Sequence, residues 1–293
     1  MRIPPFGAGL LMGSADAVPG ISGGTVALVI GIYRQLIGSI AAVLEFPRQR
    51  DSAALRAPLG FLLPLGLGIV AAYWLVSRLL IGPAESPGIL LQPGSAVLCY
   101  GLFTGLVVAS LREPWRRIPA PGQEHLLLAG VAAVATFIVL GLPFATHTPE
   151  NWMLPVGGAL ALTAMLLPGI SGSLVLVMLG QYAMIAGAVH DLKPLPLLWF
   201  GSGGLIAALV VVPRLQRQLT ERLGRTLAVL TGIMAGSLRA LWPWKASYDV
   251  RAGDLSPQVV GTNWPEVLLA ALLGALLIMA LERLARRETN RSA

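Results

Sequence analysis

Two short segments of the sequence combine the residue types of an anion-binding site. Residues 18–26 and 167–175 both contain Pro-Gly-Ile-Ser-Gly, in which the proline lacks a backbone N–H and the glycines permit close approach. A helix that breaks there and restarts leaves backbone N–H groups free at its new N-terminus, where the helix dipole also favours negative charge. Phosphate is a typical ligand of such a site. The alternative interpretation is that the small residues only allow helices to pack closely.

The two segments belong to a longer internal repeat. In one register the five identical residues are followed by further matches, which are Gly31 with Gly180 and Tyr33 with Tyr182. A weaker match follows later in each half, where the sequence has Gly-x-x-x-Gly at 101–105 and at 232–236. Repetition over this distance predicts two related structural halves.

Three ionisable residues lie in or next to the repeated regions. Asp16 precedes the first Pro-Gly pair, and a carboxylate at membrane depth is a candidate for proton binding. Its alternative role is to cap a helix or to pair with an arginine. Arg34 and Arg239 are candidate phosphate partners because a guanidinium stays charged and can bind two oxygens at once. Either arginine could instead anchor its helix at the membrane interface.

These considerations define a predicted substrate-binding set without a catalytic or metal-binding residue. The histidines are scattered and Cys99 is the single cysteine, so neither metal-ligand spacing nor a cofactor site is predicted. The predicted substrate-binding residues are Asp16, Gly20, Ser22, Gly23, Gly24, Thr25, Arg34, Gly169, Ser171, Gly172, Ser173 and Arg239.

The composition indicates that the elements that position these residues are membrane helices. The chain is 55% hydrophobic and only 12% charged, whereas soluble proteins carry about 25% charged residues. The formal charge of +7 comes from short clusters between apolar segments, which argues against a nucleic-acid partner. No cleaved signal peptide is predicted at the N-terminus. The sequence therefore predicts an all-α, multi-pass membrane protein.

Two of the apolar regions are too long for one crossing. Regions 7–44 and 153–190 are each about twice the roughly 20 residues of a span, so each is predicted to be a re-entrant hairpin or two tightly joined spans. The remaining regions predict about six single spans. They are 58–81, 95–111, 125–143, 195–213, 226–243 and 264–284.

Arginine placement predicts the orientation. Segments 45–57, 112–124 and 214–225 and the C-terminal tail are rich in arginine, and such segments face the cytoplasm. All four fall on that side if each long region crosses an even number of times, which also places both termini inside. Three single spans separate the two hairpins, so the second half is predicted to be inverted relative to the first. Inverted repeats with broken helices are typical of transporters.

The predicted organisation has four parts. They are a first repeat at 1–120 (hairpin 7–44, spans 58–81 and 95–111), a linking span within 121–152, a second repeat at 153–243 (hairpin 153–190, spans 195–213 and 226–243), and a final span with a basic tail at 264–293.

The segment from Gly13 to Thr25, together with the segment from Leu167 to Ser173, resembles the bacterial and archaeal polyprenyl-phosphate translocases of the PopT type, long treated as a membrane domain of unknown function. That resemblance implies return of undecaprenyl phosphate from the outer to the inner leaflet of the cytoplasmic membrane, to recycle this lipid carrier of cell-wall sugars. The implied partners are the lipid-linked phosphate and membrane lipid. Proton coupling through Asp16 is a hypothesis, and the oligomeric state is left open.

Two other functions remain as alternatives. A small-ion channel or exchanger could use the same broken helices. A membrane enzyme acting on a lipid pyrophosphate would need a nucleophile or metal cluster and a general acid or base, and no such constellation is evident in the sequence. We therefore predict a transporter rather than an enzyme.

Overall fold

The computed structural model describes residues 3–18, 21–49, 52–80, 88–145, 149–248 and 256–291. Apart from turns and one isolated bridge between Lys245 and Pro257, the ordered elements among these residues are helices, so the all-α prediction is confirmed. The helices of the N-terminal half are α1 (Pro5–Asp16), α2 (Gly23–Val29), α3 (Tyr33–Gln49), α4 (Ser52–Leu80), α5 (Pro93–Ser110), α6 (Arg112–Arg116) and α7 (Gln123–Val139).

The C-terminal half follows a similar order, except that a 3₁₀ turn takes the place of α6. Its helices are α8 (Leu154–Leu166), α9 (Gly172–Met178), α10 (Tyr182–His190), α11 (Pro194–Glu221), α12 (Leu223–Ser237) and α13 (Trp264–Arg291), with 3₁₀ turns at Asn151–Met153 and Leu238–Leu241. In both halves a short helix of 7 residues starts directly after the serine of the repeated motif. Proline lies in the first turn of α1, α5, α8 and α11, where its missing N–H has no intrahelical partner to lose.

Each long apolar region contains a second break that the Pro-Gly pair does not explain. After α2 the chain turns at Gly31, whose φ is 87°, and Gly180 adopts a φ of 68° at the matching position after α9. The left-handed region is costly for residues with a Cβ, so glycine suits both turns. The α2 and α3 axes meet at 119°, so this region forms three helical pieces rather than the two arms of a simple hairpin.

Within each half, the first helix packs against the long fourth helix. Helix α1 lies along α4 and α8 lies along α11. A Cβ added at Gly9 would overlap the Leu65 carbonyl oxygen, and one added at Gly158 would overlap the Phe200 carbonyl oxygen. Small residues at a membrane helix contact let the two backbones approach closely. The two crossings therefore use matched glycines.

The last helix of each half packs against the opposite half. Helix α13 lies along α5, whereas α7 lies along α12. The Gly-x-x-x-Gly pairs make these approaches possible, because a Cβ at Gly105 would overlap the Ala271 carbonyl oxygen and one at Gly236 would overlap the Ala133 carbonyl oxygen. These two helix contacts connect the N-terminal and C-terminal halves.

Three described helices are long and apolar enough to cross a bilayer, and a fourth span results if the bent α2–α3 pair counts as one. They contain the segments Ala53–Leu80, Gly94–Arg116 and Pro194–Glu221. Three further apolar helices are shorter, at Gln123–Val139, Asn151–Leu166 and Trp264–Ala280. The predicted number of single spans, the repeat boundaries and the orientation of the termini therefore stay predictions.

Candidate functional site

The two repeated motifs lie against each other in the core. The Tyr33 hydroxyl, just after the first motif, donates to the carbonyl oxygen of Leu166, just before the second, at 2.6 Å. A Cβ added at Gly24 would lie 3.2 Å from the Met165 carbonyl oxygen and 3.7 Å from the Cα of Pro168. Segments that are remote in the sequence thus form one polar junction, which we call the motif junction.

Asp16 closes the break between α1 and α2. Its Oδ1 accepts a hydrogen bond from the backbone N–H of Gly23 at 2.6 Å. A carboxylate at this point also stabilises the positive end of the α2 dipole. This contact corresponds to the helix-capping alternative for Asp16, and it places the carboxylate at the helix N-terminus where a phosphate was predicted.

The other freed N–H groups of the first motif are also bonded. The Gly24 N–H donates to the Ser22 hydroxyl at 3.2 Å, and the Thr25 N–H donates to the Ser22 carbonyl at 2.9 Å. Pro19 and Gly20, the latter a predicted site residue, lie outside the described residues. In this conformation the N–H groups of Gly23, Gly24 and Thr25 at the start of α2 are all hydrogen-bonded, to Asp16 or to Ser22.

The second motif differs because Met165 stands at the position that matches Asp16. The Ser171 hydroxyl lies 2.8 Å from the Ser173 hydroxyl and does not cap α9. Within the described part of the chain, the backbone N–H groups of Gly172 and Ser173 have no hydrogen-bond acceptor. The two halves are therefore alike in backbone and unlike in how their polar groups are satisfied.

Gly169 fits the second motif against α12. Its φ is 101°, and an added Cβ would lie 2.7 Å from the Cα of Met234 and 3.1 Å from the Ser237 hydroxyl. A side chain would be strained at this φ and would also displace the α12 backbone. The positive φ and the close contact with α12 therefore both favour glycine at position 169.

Buried hydroxyls line the motif junction. Ser22, Thr25 and Ser171 are all buried, and the Thr25 Oγ1 atom has no hydrogen-bond partner. A buried polar atom left unpaired costs about 1–3 kcal/mol, so each such atom needs an explanation, such as water or a ligand. The Thr25 hydroxyl therefore has hydrogen-bonding capacity that no described residue uses.

The two predicted arginines lie apart from the motif junction. Arg34 is exposed at the start of α3. The guanidinium of Arg239 lies 4.5 Å from the centre of the Phe137 ring, and Gly141 leaves space for it. The structure thus brings neither side chain to the motif serines.

One arginine beside the site was missed by sequence reasoning. Arg117, interpreted from sequence only as a cytoplasmic charge, pairs with Glu113 at 2.8 Å and donates to the Val29 carbonyl at 3.3 Å. It therefore holds the C-terminal end of α2 beside the turn at Gly31. Its spacing of four from Glu113 indicates an ion pair on a helix, but the contact with α2 is tertiary and leaves no local signal.

Metal-binding chemistry has no cluster to support it among the described residues, where no group of three or more His, Cys, Asp or Glu side chains converges. The chemistry available at the motif junction is hydrogen bonding by hydroxyls and backbone N–H groups, with one carboxylate. Such a set can bind and release an anion.

Comparisons with a family profile and with individual proteins identify the same family. A family profile described as undecaprenyl phosphate translocase-like matches residues 12–259. A protein of Vibrio cholerae named polyprenyl-phosphate transporter is 30% identical, covering 95% of this chain and 96% of that protein. A Staphylococcus aureus protein of the same name is 29% identical, over 80% of this chain and 84% of its own length. No solved structure matches the chain significantly.

Proposed function

This chain belongs to the undecaprenyl phosphate translocase-like family, and on that basis we propose that it carries a polyprenyl phosphate from the outer to the inner leaflet of the cytoplasmic membrane. The resemblance to polyprenyl-phosphate translocases drawn from the motifs is thereby confirmed. The proposed direction serves recycling of the lipid carrier. The observation that carries the proposal is the motif junction, where Tyr33 and Leu166 join the two repeats.

The proposed architecture is a pair of inverted repeats. Its support is the similar helix order and the matched glycines at the α1–α4 and α8–α11 crossings. The arginine-rich segments also predict opposite directions for the two halves. Helices α7 and α13 each pack against a helix of the opposite half, so we extend the first repeat through α7 and the second through α13. Inverted repeats supply paired inward and outward states of one transporter.

The proposed phosphate site is the motif junction. Ser171, Gly172 and Ser173 offer hydroxyls and unpaired N–H groups, and Thr25 offers a buried, unpaired hydroxyl. Neither Arg34 nor Arg239 contacts the motif junction in this conformation. These two arginines would therefore contact the phosphate before it enters the motif junction or after it leaves. The prenyl chain would stay in lipid while the head group passes.

Asp16 is proposed as the coupling residue. Its carboxylate and a phosphate would compete for the same Gly23 N–H. Protonation removes the negative charge of Asp16 and weakens that charge-assisted bond, which makes the donor available to substrate. A proton arriving from outside would thus accompany the phosphate inward.

Coupling would be needed for the carrier to concentrate its substrate in the inner leaflet. Carrying an anion toward an inside-negative compartment costs about 2.3 kcal/mol per charge per 100 mV. One proton per phosphate charge cancels this electrical term, and one more reverses its sign.

The direct test uses vesicles reconstituted with the purified protein and labelled polyprenyl phosphate. We expect a protein-dependent change of leaflet that accelerates when the outside is acidic. Release of inorganic phosphate would indicate an enzyme, and ion flux without lipid movement would indicate a channel, so either result would overturn the proposal.

A further inference from the structure

Each of the short motif helices α2 and α9 is held near its C-terminal end by a hydrogen bond from another element. The Val29 carbonyl, at the end of α2, accepts from the Arg117 guanidinium at 3.3 Å. The Met178 carbonyl, at the end of α9, accepts from the backbone N–H of Ala145 at 2.8 Å. In the register of the internal repeat, Val29 and Met178 occupy the same position. The two halves therefore hold the same carbonyl with different donors.

A glycine turn lies two residues beyond each held carbonyl. Gly31 follows Val29 with a φ of 87°, and Gly180 follows Met178 with a φ of 68°. A Cβ added at Gly31 would lie 3.4 Å from Nη2 of Arg117. Glycine lets the backbone change direction at low steric cost, and hinges are often small residues at the end of an element. Each short helix thus has a pivot beside the carbonyl that is held.

The length of these helices makes their end contacts important. Helices α2 and α9 have 7 residues each, whereas isolated helices shorter than about 12–15 residues are marginal in water. An arginine at a helix C-terminus also interacts favourably with the helix dipole. The Arg117 side chain is 36% exposed, so water can replace the Val29 carbonyl as its acceptor. The contact that holds α2 can therefore open and close.

The two donors belong to opposite sides of the predicted topology. Arg117 lies in the arginine-rich segment 112–124, which is predicted to face the cytoplasm. Ala145 follows α7, the predicted span that leads from this segment to the other side. In that orientation α2 is held from the cytoplasmic side and α9 from the outer side. Both bonds are made in this conformation.

We propose that these two bonds are the gates of the transport path, with Arg117 to Val29 as the inner latch and Ala145 to Met178 as the outer latch. Opening the outer latch lets α9 pivot at its glycine turn and admits the phosphate to the motif junction. Opening the inner latch lets α2 pivot in the same way and releases the phosphate to the inner leaflet. The inference rests on the proposed function for the substrate and for the two sides of the membrane.

The inner latch can be tested with a single cysteine on α2 in a Cys99→Ser background. Ala27→Cys is suitable because Ala27 is fully buried in this conformation. An impermeant maleimide is added to inverted membrane vesicles, which expose the cytoplasmic face. Arg117→Gln should increase the labelling rate about tenfold, because a hydrogen bond from a charged group can shift an equilibrium by roughly that factor. Arg117→Lys keeps a charged donor and should restore most of the slow labelling.

Matched controls separate the inner latch from general damage. All arginine variants are made in a Glu113→Gln background, so that loss of the Arg117 charge leaves no buried carboxylate without its ion pair. Arg116→Gln removes an exposed charge from the same helix and should leave labelling slow. Unchanged labelling in Arg117→Gln, or equal acceleration by Arg116→Gln, would overturn the proposal.

The outer latch has its own pair of variants. Leu176 is buried on α9 at the position that matches Ala27, so Leu176→Cys is labelled from outside in spheroplasts. Ala145→Pro removes the N–H donor without changing charge, and Ala145→Ser keeps it. We expect faster labelling with the proline variant alone. Arg117→Gln should leave Leu176→Cys slow, and equal acceleration at both cysteines would indicate general loosening and refute the two latches.

Transport measurements distinguish this inference from the proposed function. If labelling changes as expected but the unmodified protein moves no polyprenyl phosphate in vesicles, the proposed function fails and the latches stand. If the protein transports and the latch variants do not change the labelling, the latches are refuted while the proposed function stands.

Discussion

The Tyr33 hydroxyl donates a hydrogen bond to the Leu166 carbonyl at 2.6 Å, and this bond joins the two repeated motifs across 133 residues of sequence. Both partners are buried, so neither group can be satisfied by bulk water instead. The bond therefore reports whether the motif junction is intact.

Tyr33→Phe should loosen the motif junction. The change leaves the Leu166 carbonyl buried without its donor, which costs about 1–3 kcal/mol. We expect a lower Tm in detergent and slower transport in vesicles. Tyr182→Phe is the matched control, because Tyr182 occupies the equivalent position without a described hydrogen bond from its hydroxyl. Equal effects of the two changes would contradict a special role for the Tyr33 bond.

Gly23→Val and Gly172→Val should abolish transport while the protein still inserts. A Cβ at Gly23 would lie 2.5 Å from Asp16 Oδ2, and one at Gly172 would lie 3.0 Å from the Ala161 carbonyl oxygen, so a branched side chain crowds both helix starts. The readouts are transport in vesicles and the amount of protein in the membrane. Gly38→Val is the control, since a Cβ there meets no atom within 4 Å. Normal transport by both motif variants would exclude the motif junction as the phosphate path.

Much of this fold follows from local sequence, whereas the contacts that assemble it do not. The Pro-Gly-Ile-Ser-Gly segments predict breaks, and the helices do stop at Asp16 and Leu166. The breaks at Gly31 and Gly180 were visible only as aligned glycines, because nothing in the sequence states that their φ is positive. The packing of α7 and α13 against the opposite halves could not be predicted from local sequence, because an apolar helix offers a similar surface to lipid and to a neighbouring helix.

The sequence selects the motif residues as candidates but does not predict their bonding, and the two candidate arginines lie apart from the motif junction. Position and polarity identify Asp16, yet only the bend between α1 and α2 places its carboxylate on the Gly23 N–H. Likewise Thr25 was selected for lying in the motif, and its unpaired hydroxyl emerges only from the packing around it.

The membrane topology can be tested by cysteine labelling in a Cys99→Ser background. Single cysteines at Gly88 and at Gln216 should label from opposite sides, with Gln216 cytoplasmic, because the segment 214–225 is rich in arginine. Gly88 should react with an impermeant reagent added outside spheroplasts. Labelling of Gly88 only after permeabilisation would reject the proposed orientation.

Lys245 should make stability depend on pH. Its folded pKa of about 7 lies below the unfolded value of 10.5, so between these pH values the unfolded chain binds more protons than the folded one. Burial of the ammonium causes this lowering of the pKa. The contribution of Lys245 is therefore most destabilising below about pH 7, and this destabilisation should decrease as the pH rises from 7 toward 10.5. Tm measured in detergent at pH 7, 8 and 9 should show that increase, and Lys245→Met should reduce it. Lys193→Met should leave the change of Tm with pH as it is. If Lys245→Met also leaves it unchanged, the lowered pKa of Lys245 would be contradicted.

Asp16→Asn tests proton coupling without removing the contact that holds α2. The asparagine side-chain oxygen can still accept from the Gly23 N–H, so we expect normal insertion and a Tm close to that of the unmodified protein. The amide cannot take up a proton, so the competition between the side chain and phosphate for that N–H no longer depends on pH. Binding of labelled polyprenyl phosphate should persist, and transport should no longer respond to a proton gradient across the vesicle. Ser14→Ala, which removes a polar side chain bonded only to Leu10 within α1, should keep the gradient dependence. Transport by Asp16→Asn with an unchanged response to the gradient would leave Asp16 with the capping role alone.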